Sequence, residues 1–278
     1  MYDISRIQRE TLPLQCDFLH KFVMMIGKNK IKFIRSLQQK KNRMAEGLFV
    51  AEGPKTVSEL LPVFNATLLI ATKEWMAENA SPAGVEVIVV EEEMLGKISF
   101  LQHPQQVIGI FRIPDDSNDA SLFQLPDSDL VLALDGVQDP GNLGTIIRIA
   151  DWFGITTLFC SPDTADAYNP KVVQATMGSI ARVRLVYTDL KDLLDALHPD
   201  TPVYGTLLNG EDIYQQSLSR NGLIVMGNEG KGLSKAIASR VTHRLLIPSF
   251  PTEKPTAESL NVAIATAVVC AEFRRRFI

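Results

Sequence analysis

The chain has little with which to build a metal site, a disulfide framework or a membrane anchor. Its 278 residues hold three cysteines and four histidines. Cys16, Cys160 and Cys270 lie far apart, as do His20, His103, His198 and His243, so no zinc-ligand spacing exists and no metal is expected. Thiols scattered in this way are expected to be reduced and buried, as in a cytoplasmic protein. No apolar run approaches the roughly 20 residues that cross a bilayer; the run from Phe22 to Ile26 is met at once by Lys28. A signal peptide is not expected, because no small-residue cleavage site follows an adequate apolar core. Positive charge is scarce too. A net charge of −4 excludes a global electrostatic grip on nucleic acid, so any basic footprint has to be local. Internal repeats and low-complexity tracts are absent.

What is present reads as globular: 46% hydrophobic and 22% charged residues, at a length that suits one large or two ordinary domains. Residues 1–24 carry no clear pattern and are expected to be an extension. From Lys28 to Arg43 the chain holds Lys28, Lys30, Lys32, Arg35, Lys40, Lys41 and Arg43 without one acid. Ile31, Ile34 and Leu37 form a helical stripe that leaves these cations outside, a candidate polyanion contact. Strands LFVAE, ATLLIAT, VEVIVVE and QQVIGIFRI then alternate with helices, making an α/β unit over residues 25–113. Residues 114–128 are acidic and turn-rich, the expected linker. From Asp129 six strands alternate with five helices, the last expected over Ser259–Phe277. Such alternation predicts a mostly parallel sheet in a second α/β domain, residues 129–278.

Three stretches carry the chemistry. The first, LDGVQDPGNLGTIIRIADWFG (Leu134–Gly154), passes from a buried strand through dense turn formers into an apolar helix. Asn142 stands near that helix's N-terminus and Arg148 follows six residues later. An arginine there is either a snorkelling surface residue or an anion-binding group at a sheet edge. The second stretch is LIVMGNEGKGLS, from Leu223. It fails as a dinucleotide fingerprint, because its glycines are spaced G-x-x-G-x-G and stand late in the chain. It fails as a P-loop as well, since Lys231 precedes Gly232 rather than Ser or Thr. Its glycines expose backbone to a ligand, and Glu229 projects between two of them. The third is LLIPSFPTEKPTAESLNV, from Leu245, where Ser259 suits a helix cap but Asn261 sits in an apolar run and must find partners.

Taken in order, N-x-G-x-x-x-R with its flanking DPGN, GNEGKGLS and IP…SLNV resemble the motifs of SpoU-type RNA ribose 2′-O-methyltransferases of the SPOUT superfamily. NKIKFIRSLQQKKNRMAEGLFVAEGPK is similar to the opening of the ribosomal-protein-like substrate-binding domain that often precedes them. The resemblance implies a C-terminal trefoil knot, which no spacing shows, and S-adenosyl-L-methionine as cofactor. It implies a catalytic pocket of Arg148, Asn142, Glu229, Ser259 and Asn261. The cofactor would meet Leu207, Met226, Gly227, Gly230, Ile247, Pro248 and Leu260. Ribosomal or transfer RNA would be the substrate, and a homodimer through the C-terminal domain would complete the site. The sequence departs from the family at Gln174, where an arginine is usual. It leaves open a rival of another class, a non-catalytic RNA-binding protein that keeps the fold. It also leaves open whether Arg148 acts as a base or as a phosphate clamp.

Overall fold

Clusters of apolar residues at the predicted periods settle into two sheets. The structure, a computed structural model, describes residues 26–114, 120–250 and 257–277. It divides into two compact units, the first running to Arg112 except for Pro62–Phe64, which group with the second, from Ile113 onward. The extension expected over residues 1–24 lies outside the described residues.

In the first unit, helices α1 (Lys28–Ser36) and α2 (Lys40–Glu46) precede β1 (Leu48–Glu52), α3 (Pro54–Leu60), β2 (Ala66–Ala71) and α4 (Lys73–Glu78). β3 (Glu86–Val89), α5 (Glu92–Ile98) and β4 (Val107–Arg112) follow. The sheet order is β1-β4-β2-β3. β4 runs antiparallel to β1 and β2, while β2 and β3 are parallel. Val50, Ile70, Ile88, Ile108 and Ile110 from these strands pack with Ile34 and Leu37, the stripe expected of the basic helix. Burying that stripe is what turns the remaining side chains of α1 outward.

The second unit opens with a 3-10 helix, Ala120–Asp127. Part of the expected linker is therefore structured: Leu122 joins the core of this unit, and Phe123 meets Phe159 edge-on at 5.8 Å. The three apolar residues in that acidic stretch were the available signal. After it come β5 (Leu130–Asp135), α6 (Pro140–Trp152), β6 (Thr157–Cys160), α7 (Pro170–Thr176), β7 (Arg184–Tyr187), α8 (Leu190–Ala196) and β8 (Val203–Asp212). The unit ends with β9 (Gly222–Gly227), α9 (Lys235–Ala238), β10 (His243–Leu246) and α10 (Val262–Arg275).

Six strands form one sheet in the order β10-β8-β9-β5-β6-β7, and every pairing in it is parallel. Leu130–Leu134 and all of β9 are buried, as expected of central strands covered on both faces. The pairing of β8 with β10 slips between Arg244 and Leu245, whose partners are Gly205 and Glu211. Residues 206–210 therefore leave the ladder at the sheet's edge.

α10 buries Val262, Ala263, Thr266, Val269, Cys270 and Phe273 but leaves Ile264 exposed, so it is apolar all round without being buried all round. Its last arginines act locally. Arg274 donates to the carbonyls of Phe153 (2.7 Å) and Gly154 (3.1 Å) at the end of α6, and Arg275 and Arg276 pair with Glu272. Burial pushes the Cys160 thiol up and that of Cys270 up to about 12, so neither is a ready nucleophile. Among the described residues no helix is long and apolar enough to cross a membrane, and no group of three His, Cys, Asp or Glu is placed to hold a metal.

Candidate active site

The three motif-bearing stretches meet at the carboxyl edge of the parallel sheet, the usual ligand edge of such sheets. β5 ends at Asp135, and Gly136 turns the chain with φ +72°. Asp139 then caps α6, its carboxylate accepting from the amide of Asn142 at 2.8 Å. With its backbone satisfied by the cap, Asn142 has a free side chain. That side chain donates to Glu229 Oε1 at 2.9 Å and accepts from Asn261 Nδ2, also at 2.9 Å. Asn261 uses its own Oδ1 to cap α10, accepting from the amides of Ala263 (3.0 Å) and Ile264 (3.3 Å). Three distant motifs thus share one chain of side-chain hydrogen bonds: Asn261 to Asn142 to Glu229.

The loop after β9 is folded back on itself. Asn228 and Gly232 exchange backbone hydrogen bonds of 3.0 and 2.9 Å, and Gly232 takes a φ of +67°. A Cβ on Gly227 would stand 2.3 Å from the Gly232 carbonyl carbon, so both glycines are required by the turn. Gly230 is different. It is exposed, its φ is not positive, and a Cβ there would meet nothing closer than 3.8 Å. The fold does not demand a glycine at that position.

Asn228 is a residue that the sequence motifs did not single out. Its Nδ2 donates to the Gly136 carbonyl at 2.7 Å, and its Oδ1 accepts from the amides of Gly230 (3.0 Å) and Lys231 (3.1 Å). Asp135 makes a parallel tie, accepting from the Ser234 amide at 2.6 Å. Together they lock the loop that carries Glu229 to the turn that leads to Asn142. The available signal was a polar residue beside three loop glycines, where orphan amides need an acceptor.

Arg148 is exposed on α6, and among the described residues it forms no hydrogen bond or ion pair. Met226 and Gly227 are buried at the end of β9, with Thr206 donating to Met226 Sδ at 3.8 Å. Leu207 lies in the looped-out part of β8, and Ile247 and Pro248 follow the end of β10; all three are half-buried.

One expectation needs correction here. Ser259 does not open the last helix: α10 begins at Val262 with Asn261 as its cap, and Ser259 is exposed without a hydrogen bond among the described residues. Asparagine out-competes the serine because its longer side chain caps and reaches Asn142 at once. Leu260, beside it, is 50% exposed.

The basic stretch of the first unit divides in the same way. Lys28, Lys32, Lys40 and Lys41 are exposed and unpaired among the described residues. Lys30 is ion-paired with Glu86, and Arg35 donates to the Lys97 carbonyl at 2.8 Å. Arg43 is not on the surface: it is 1% exposed and donates to the carbonyls of Leu37 and Gln38, each at 2.8 Å. A guanidinium that closes the end of α1 cannot also meet RNA. Gln174 buries an Oε1 that has no hydrogen-bond partner among the described residues.

A sheet of six parallel strands with an asparagine–glutamate network at its carboxyl edge, beside a helix that carries an unpaired arginine, defines an α/β protein with a candidate ligand site at the ends of its strands. The SpoU rRNA Methylase family matches residues 129–271, and the MRM3-like substrate binding domain matches residues 28–109. The chain belongs to the SpoU rRNA methylase family. It is 31% identical over 248 residues to the 23S rRNA (guanosine(2553)-2′-O)-methyltransferase of Bacillus subtilis, covering 88% of this chain and 96% of that one. A putative RNA methyltransferase of the TrmH family from Porphyromonas gingivalis is 39% identical with a TM-score of 0.81, covering 91% of this chain and all of the other. An AdoMet-bound rRNA methyltransferase from Sinorhizobium meliloti is 31% identical with a TM-score of 0.77, covering 93% and 98%.

Asn228→Ala should strip an acceptor from two amides and a donor from one carbonyl. The expected cost is about 1–3 kcal/mol, read as a lower melting temperature. Amide hydrogen exchange at Gly230 and Lys231 should quicken. Unchanged exchange at both amides would show that the loop does not depend on this side chain.

Proposed function

We propose that the chain is an S-adenosylmethionine-dependent methyltransferase that modifies a ribose 2′-hydroxyl of ribosomal RNA. Membership of the SpoU family supports the reaction. The names of the relatives in Bacillus subtilis and Neisseria meningitidis, both 23S rRNA guanosine 2′-O-methyltransferases, support ribosomal over transfer RNA. The observation that carries the reading is the hydrogen-bonded chain Asn261–Asn142–Glu229 at the start of α6, the helix on which Arg148 stands exposed and unpaired among the described residues.

The residues at the ends of β8, β9 and β10 suit the cofactor. Gly230 is a glycine that the fold does not need, and its bare backbone allows close approach. Leu207, Met226, Gly227, Ile247 and Pro248 would hold S-adenosylmethionine, with Leu260 at the margin. When bound, the cofactor supplies a methyl already activated by its sulfonium leaving group. The protein's task is to position the ribose and to steady its oxygen as charge develops there.

A guanidinium is a poor proton acceptor, so Arg148 clamps phosphate and stabilises the forming alkoxide. Asn142 and Asn261 set the position of Glu229, and Glu229 and Ser259 line the pocket. The rival reading, a non-catalytic RNA binder, is disfavoured because Arg148 stays free and the asparagine–glutamate chain is intact.

Residues 25–113 are assigned to RNA capture and 129–278 to methyl transfer, in the cytoplasm where ribosomal RNA is made and modified. A knot threaded through the β10–α10 segment is part of the same proposal. An experimental chain trace with no threaded C-terminus removes it. Homodimerisation through the second unit is supported by large apolar side chains left at the surface, Trp152 on α6 at 85% exposure and Ile264 on α10 at 54%. Sedimentation at micromolar concentration should show a dimer; an active monomer sinks that assignment.

Arg148→Ala should lower methyl transfer by at least about a hundred-fold, with S-adenosylmethionine affinity, measured by calorimetry, within a few-fold of the parent. Retained turnover would take Arg148 out of the mechanism.

Charge reversal of Lys28, Lys32, Lys40 and Lys41 should weaken RNA binding and flatten its salt dependence by about 0.7 in log–log slope for each phosphate no longer neutralised. S-adenosylmethionine affinity should not move. An unaltered salt slope would return this face to an ordinary solvated surface.

A further inference from the structure

The first unit holds a cavity of about 520 Å3 between the start of α3 and the segment joining α5 to β4. That volume lies within the roughly 300–1,000 Å3 range of small-ligand sites. Its place in the sheet is telling. Since β4 opposes both β1 and β2, and β3 parallels β2, the strands β1, β2 and β3 share one direction. The cavity gathers at their carboxyl ends: Pro54 follows β1, Glu92 follows β3, and Pro104 to Gln106 lead into β4. Ligands of open α/β sheets bind at this edge.

The rim is held rather than slack. The buried Glu52 carboxylate accepts from Ser99 Oγ and from the Phe100 amide, the latter at 2.8 Å, tying the segment before β4 to the end of β1. Gln105 folds over Gly53, whose φ is +90°; a Cβ there would lie 2.6 Å from Gln105 Oε1.

Gly96 is the residue that packing does not explain. It stands inside α5, where glycine costs about 1 kcal/mol relative to alanine. Its φ is not positive, it is exposed, and a Cβ on it would meet only Pro104 Cγ, at 3.9 Å. What its missing side chain leaves is an open wall in the cavity.

The lining chemistry selects the ligand. Two proline rings and Leu95 offer apolar surface, and Gln105 and Gln106 offer exposed amides. Glu92 is the only ionisable residue in the lining, and among the described residues it has no partner. No cation lines the cavity itself, which favours an uncharged group over a phosphate there. A planar heterocycle that presents N–H donors fits. Guanine carries N1–H and its 2-amino group side by side, a pair that one carboxylate accepts together. Proteins that read RNA by sequence take bases splayed out of loops and bulges in this manner.

We propose that this cavity receives one unstacked guanine of the substrate RNA, a nucleotide other than the one methylated. The inference rests on the reading of the chain as an RNA methyltransferase. Lys55, exposed and next in sequence to Pro54, is the neighbouring cation for the backbone of that nucleotide.

The test uses the full chain and two fluorescein-labelled 12-nucleotide probes, one all uridine and one with a single central guanosine. Anisotropy should show the guanosine strand bound about ten-fold more tightly, the scale of one good base contact. Gly96→Leu fills the cavity while improving helix propensity, and Glu92→Gln removes the paired acceptor. Each should erase the guanosine advantage while leaving all-uridine binding and S-adenosylmethionine affinity as in the parent. An advantage that survives either substitution overturns the assignment. Equal binding of both probes by a parent that still methylates ribosomal RNA overturns this site alone. A parent that neither binds RNA nor transfers methyl overturns the methyltransferase reading beneath it.

Discussion

Asn142 stands where the backbone of α6 has just been satisfied by another residue, and much of the second unit depends on that. Because Asp139 takes the amide of Asn142, the asparagine side chain is released to join Glu229 on one side and Asn261 on the other. Asn261 in turn sets the start of α10, and Arg274 at the other end of α10 closes the carbonyls that finish α6. Two helices far apart in sequence are thereby held at both ends. Partly buried amides and carboxylates without partners are costly, so this network admits few other arrangements. A site assembled from three loops thereby acquires a single geometry.

Around this network the loop glycines divide the labour. Gly227 and Gly232 exist for the turn, one because backbone packs onto it and the other for its positive φ. Gly230 serves neither purpose and leaves its backbone open to a ligand's approach. Asn228 makes the distinction workable, since it satisfies the amides of Gly230 and Lys231 through its side chain instead of through a longer turn. Glu229 then projects from a short loop whose backbone is tied by its own hydrogen bonds.

The first unit separates charge from shape. Its free lysines lie on the outer faces of two short helices, suited to a phosphate backbone that carries no sequence information. Its cavity contains no cation, only prolines, a leucine, amides and one carboxylate, suited to a base edge. The cations that do not stay free explain themselves locally: Arg43 satisfies carbonyls at the end of α1, and Lys30 finds Glu86 across the unit. A net negative protein can therefore hold RNA through a confined patch.

Much of this was legible in the chain itself. Hydrophobic period placed the six strands and five helices of the second unit to within a few residues, because buried strands and one-sided helices leave patterns that tertiary packing seldom overrides. The motif residues Asn142, Arg148, Glu229 and Asn261 could be named as well, because the three stretches resemble the SpoU motifs; taken singly, Glu229 reads as readily as a solvated acid and Arg148 as a snorkelling surface residue. Partnership was not legible. Glu86 lies 56 residues from Lys30, Gly136 lies 92 from Asn228, and Asn142 lies 119 from Asn261. Sequence spacing carries no information about hydrogen bonds made across folded elements. The burial of Arg43, the choice of Asn261 over Ser259 as cap, and the ordering of Leu122 and Phe123 in the expected linker were decided by what the fold brought within reach.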